Sequence, residues 1–92
     1  MEKHRQTLSQ IEAILKQWGA VAVEVTDNSH LHVGHAGARS GGGHFAVRVI
    51  APEFSGKTRI QRHRLVYQQL HELFTNSAIH ALEVEAKTSE EL

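Results

Sequence analysis

Apolar residues at Leu8, Ile11, Ile14, Leu15 and Trp18 recur at steps of three and four, which predicts a helix from about Gln6 to Trp18 with Gly19 as its stop. The period then changes to two. Val21, Val23 and Val25 alternate with Ala22, Glu24 and Thr26, the pattern of a β-branched strand. Asp27-Asn28-Ser29 ends it, and a long histidine- and glycine-bearing stretch runs to Gly43. Phe45, Val47 and Val49 alternate again, with Arg48 on the opposite face, so residues 44–51 form a second strand closed by Pro52, the single proline. After a turn at Phe54-Ser55-Gly56, the apolar positions Ile60, Val66 or Tyr67, Leu70, Leu73 and Phe74 mark one helix from Lys57 or Thr58 to Phe74. Thr75-Asn76-Ser77 breaks it. A third strand, 79–86, opens with His80 and puts Leu82, Val84 and Ala86 on one face. Thr88 to Glu91 has capping-box spacing and predicts a short terminal helix.

The order αββαβ(α) implies an α+β domain. Two helices cover one face of a three-stranded mixed sheet, and the long helix carries the crossover from the second strand to the third. Ninety-two residues make one domain, 1–92, with a modest core. Trp18 and Tyr67 are assigned to that core.

Charge is balanced at 10 basic and 10 acidic residues, so a nucleic-acid surface would have to be local. No apolar run approaches the roughly 20 residues of a membrane span. Met1-Glu2-Lys3-His4-Arg5 leads into no apolar stretch, so no secretory leader is expected and a soluble, reducing compartment is the default. The chain has eight histidines and no cysteine. Disulfides are excluded, as is a thiolate metal site made by this chain alone. Three histidines, His30, His32 and His35, share the glycine-rich stretch, which has too few apolar side chains to pack a core and is read as a working surface. No nucleophile elbow, P-loop or His-Glu-x-x-His occurs, and no enzymatic activity is expected.

Several short motifs stand in order along the chain: Glu24-Val25-Thr26-Asp27 with Ser29, His44-Phe45, Phe54-Ser55-Gly56-Lys57, Gln61-Arg62-His63-Arg64-Leu65-Val66-Tyr67, and Ile79-His80-Ala81-Leu82 with Lys87-Thr88. Together they resemble the BolA family from about Ile11 to Glu91. Two positions depart from its pattern. Leu92 stands where the family commonly has Trp, and Asn28 stands where it commonly has Glu.

The resemblance implies a fold related to the type II KH domain. It implies a protein that is a monomer alone, and a heterodimer with a monothiol glutaredoxin that bridges a [2Fe-2S] cluster. Roles in cluster trafficking and iron homeostasis follow, with transcription regulation in some bacterial members, in a cytoplasmic or organelle-matrix setting. By the same resemblance His80 is a cluster ligand. His32 and His35 compete equally for the loop ligand, with His30 behind them. Two imidazoles do not close a metal site, so the remaining thiolates would come from the partner's cysteine and from glutathione. Imidazole ligation would also raise the reduction potential above that of an all-thiolate cluster.

Lys57, Arg59, Arg62, His63 and Arg64 form a basic run at the start of the long helix. It reads as a solvated face, as a DNA-binding edge with strong salt dependence, or, as the resemblance implies, as a docking surface for the partner. His63 also has a structural reading, orienting a loop, and His44, which opens the second strand near the same candidate site, is read as structural. No GXXG precedes the long helix, and few aromatics are available to stack bases. A third reading is a small zinc- or copper-binding protein using the loop histidines.

Overall fold

The structure is a computed structural model that describes residues 2–29 and 42–92. Helix α1 spans Glu2–Trp18, four residues longer at its start than the apolar pattern predicts. Its inner stripe is Thr7, Ile11 and Leu15, with Trp18 at the end against Phe54, ring centroids 5.4 Å apart. The extra turn carries His4, whose ring meets Phe45 edge-on at 6.1 Å. Gly19 stops the helix at a φ of +135°, a conformation that other residues adopt only under strain.

Strand β1 (Ala22–Asp27) pairs antiparallel with β2 (Gly43–Ile50), placing Val23 opposite Val49, Val25 opposite Val47 and Asp27 opposite Phe45. The alternation expected at Val23, Val25, Phe45, Val47 and Val49 is present, whereas Val21, expected on the same face, precedes β1 and is exposed. Valine and phenylalanine face the helices, while Glu24 and Arg48 face solvent. A short 3-10 turn, Pro52–Phe54, follows β2 and buries Phe54.

Helix α2 (Arg59–Gln69) begins with a capping box that the sequence reading did not include. Thr58 Oγ1 accepts from Gln61 N at 3.1 Å, and Gln61 Oε1 accepts from Thr58 N at 2.9 Å. The single long helix expected to reach Phe74 is instead two. Leu70, at φ −100° and ψ 13°, separates α2 from the five-residue α3 (His71–Thr75), and Leu70 N donates to both Val66 O and Tyr67 O. Periodicity could not show this break, because Val66, Leu70 and Leu73 keep helical spacing and are all buried across it.

Strand β3 (Ile79–Lys87) then pairs parallel with β2, giving the order β1-β2-β3 and completing the crossover. α1 lies on β1 and β2, α2 and α3 lie on β3, and α1 touches α2, so the helices share one face as expected. A 3-10 turn, Ser89–Glu91, closes the chain. No helix among the described residues is long and apolar enough to cross a membrane.

One irregularity positions the site. Gly43 pairs with Ile79 and His44 with Ala81, so His80 is an extra residue, a β-bulge. The bulge reverses the side-chain parity of β3 at its first turn. Ile79 enters the core beside Leu82, three residues on rather than two, and both are buried. His80 is pushed outward and is exposed.

Candidate functional site

The exposed ring of His80 lies against His44, with centroids 5.1 Å apart and planes at 49°. His44 itself is buried at the first turn of β2. Its backbone extends the sheet one step beyond β1, since Asn28 N donates to His44 O at 2.7 Å and His44 N donates to Ser29 Oγ at 3.0 Å. Ser29 N in turn donates to Asp27 Oδ1 at 2.9 Å, an Asx turn that fixes the chain as it leaves β1. Partial burial opposes ionisation of Asp27. The hydrogen bonds from the Ser29 side chain and backbone, with the nearby charge of His4, outweigh it and hold this carboxyl below its usual range.

Gly42 closes the other side of the site. A β-carbon built on it would stand 2.8 Å from His80 Cβ, 3.0 Å from Ser77 O and 3.3 Å from His80 N. Only glycine lets the two strands approach this closely. Ser77, held at a positive φ of 66°, and the Asx turn in which Ala78 N donates to Asn76 Oδ1 at 2.9 Å set the entry into β3.

Both anchors of the segment 30–41, Ser29 and Gly42, therefore stand beside the His44–His80 pair. His30, His32 and His35 themselves lie outside the described residues. The pair brings two imidazoles to one open end of the sheet, and the chain has no cysteine to add to them. Among the described residues no group of three potential metal ligands converges.

His44, read from the sequence as structural at the start of the second strand and near the same site, is buried and stands against His80. The signal in the sequence was its place directly after the glycine run, where β2 resumes.

The basic run does not form one face. Lys57, Arg59, Arg62 and His63 line a groove against the far end of β3, whereas Arg64 borders a second depression with Gln61 and Gln68 that Lys57 also lines. A helix turns about 100° per residue, so neighbours in sequence diverge. Arg62 is committed. Its Nε donates to Lys57 O at 3.0 Å and its Nη1 to Ala86 O at 3.0 Å. The two terminal nitrogens also grip Glu91 at 2.6 and 2.9 Å. Glu91 Oε1 additionally accepts from Thr88 N at 2.8 Å. The side-chain hydrogen bond from Arg62, then that backbone bond, pull the Glu91 pKa down to about 2.

His63, half-buried, makes no hydrogen bond among the described residues and faces β3, so the loop-orienting role is not what the structure places there. Tyr67, expected in the core, is 41% exposed at the rim. Its hydroxyl donates to Leu82 O at 2.9 Å and its ring stacks on Phe74 at 5.1 Å. A buried phenol would need that same acceptor, and the rim supplies it.

An αββαβ order with the helices on one face of a three-stranded mixed sheet defines a small α+β domain. A profile of the BolA-like protein family matches residues 14–91. The chain belongs to this family. It is 38% identical over 86 residues to a SufE-like protein 1, chloroplastic/mitochondrial, of Arabidopsis thaliana, covering 88% of this chain but only 23% of that protein. It is 32% identical over 80 residues to a DNA-binding transcriptional regulator BolA of Haemophilus influenzae, covering 87% of this chain and 74% of the relative. The solved BolA domain of SufE1 from Arabidopsis thaliana superposes with a TM-score of 0.79 at 34% identity, covering 94% of this chain and 95% of that domain.

Proposed function

We propose that this chain is a non-enzymatic partner of a monothiol glutaredoxin. It shares a bridging [2Fe-2S] cluster through His80 and one histidine of the 30–41 segment, His32 or His35, and acts in iron–sulfur cluster trafficking and iron homeostasis. The observation that supports this reading is the placement of His80. It is exposed by the bulge, backed by His44, and flanked by both anchors of the histidine-bearing segment. Two imidazoles from this chain and thiolates from the partner's cysteine and glutathione would satisfy a four-ligand requirement that neither molecule meets alone. The histidines must be neutral to ligate, so loading weakens in acid.

The test is reconstitution. The chain is mixed with a monothiol glutaredoxin, glutathione, iron and sulfide, and visible absorption and circular dichroism are recorded. His80→Ala should change the cluster spectrum while its far-UV spectrum stays native. Identical cluster spectra for the native chain, His80→Ala and the His32→Ala/His35→Ala double variant would remove the proposal. The DNA-binding reading has less support, because Arg62 is committed within the chain and Arg64 does not line the groove that Arg59 and Arg62 line.

A further inference from the structure

Among the described residues β3 is an outer strand, paired on one side only. In a parallel ladder, alternate residues turn both backbone groups to the same side. Lys87 O accepts from Ala51 N at 3.0 Å, toward β2. Glu83, Glu85 and Lys87 therefore face inward, and Leu82, Val84 and Ala86 turn their N–H and C=O to the open edge. α2 guards two of those carbonyls: Tyr67 caps Leu82 O at 2.9 Å and Arg62 caps Ala86 O at 3.0 Å. Such capping blunts an edge against unwanted pairing. Val84, midway between the caps, has no side chain bonded to its outward groups among the described residues.

A groove of about 710 Å³ runs beside this gap, along Val84 to Lys87 and under Lys57, Arg59 and His63. The carboxylates already at its margin are occupied, Glu91 by Arg62 and Glu85 by Arg48 and Lys87. Lys57 and Arg59 are exposed and make no ion pair among the described residues. The floor of the groove is thus an open strand edge and its wall carries unneutralised cations. We propose that this edge docks an extended acidic segment of a partner protein. The segment lies along β3 as a short added strand, its backbone bonded to Val84 and its carboxylates toward Lys57 and Arg59. Four residues of strand, about 13 Å, separate Val84 from His80, so the two sites can be filled together. The inference does not depend on the cluster.

The test uses the full chain, isotope-labelled, without iron or glutaredoxin. A capped hexapeptide of alternating glutamate and valine is titrated in, against a lysine–valine counterpart and inorganic phosphate. The acidic peptide should give saturable shifts at the Leu82–Ala86 amides and slow hydrogen exchange at Val84. Lys57→Glu/Arg59→Glu should weaken binding about tenfold or more. Val84→Pro should abolish it, since that substitution removes an outward N–H and no bond to β2. His80→Ala should bind unchanged. The charge-reversal variant carries the test if the proline variant fails to fold. Equal binding of the lysine peptide, the same shifts with phosphate alone, or shifts that avoid residues 82–86 would overturn the proposal.

Discussion

Gly42→Ala probes how the sheet holds His80. The added methyl would stand 2.8 Å from His80 Cβ and 3.0 Å from Ser77 O, whereas ordinary contact begins at 3.4 Å, so the strands must part by about 0.6 Å. None of the atoms it meets is the tip of a flexible side chain. Two are backbone atoms and the third is a Cβ fixed to its backbone, so a rotamer change cannot relieve the clash. Overpacking of this kind costs ~1–3 kcal/mol. In a domain of this size each kcal/mol lowers Tm by ~4–8 °C, so a fall of ~4–24 °C is expected by circular dichroism. The displacement falls at the bulge, so the His80 and His44 ring resonances should shift as well. Gly56→Ala is the control. Gly56 has a φ of +74° and nothing within 4 Å, so only backbone strain of about 1 kcal/mol applies, with both histidine spectra unchanged. If Gly42→Ala melts less than ~4 °C below the native chain and leaves the His80 ring signals in place, the close approach of Gly42 to β3 is wrong.

Tyr67→Phe leaves Leu82 O uncapped and should cost ~0.5–1.5 kcal/mol in urea unfolding; an unchanged midpoint would mean that water replaces the hydroxyl fully. Glu91 has its folded pKa lowered from 4.5 to about 2. Its contribution to stability is therefore complete above 4.5 and is lost as pH falls toward 2. Its carboxyl carbon should titrate near 2 by NMR, and Arg62→Lys should move that midpoint upward by removing the paired hydrogen bonds. Ser29→Ala removes the side-chain hydrogen bond that lowers the Asp27 pKa, so that carboxyl should titrate at higher pH than in the native chain; an unmoved midpoint would place the cause elsewhere.

Much of the fold was legible along the chain. The valine alternation at 23 and 25 and at 47 and 49 and the glycine stop at 19 are local patterns, and each appears where periodicity and capping rules put it. The site was legible in part. His80 was singled out through the family motif, and the structure exposes it; His32 and His35 lie outside the described residues. The Arg62–Glu91 grip was not legible, because it spans 29 residues and neither charge is unusual in its own neighbourhood. The position of Tyr67 at the rim was not legible either, since its spacing is that of a core residue and only the edge of β3 supplies its acceptor.

The order of the strands, the face that β1 and β2 bury and the lack of any thiol belong to the sequence alone, because hydrophobic period and composition act within a few residues. The tertiary structure decided three other things. It set β3 on the outside of the sheet, inserted His80 as an extra residue so that Ile79 could reach the core, and brought His44 against His80. These depend on strand register, and register is settled by packing between segments more than 30 residues apart, which no local pattern carries.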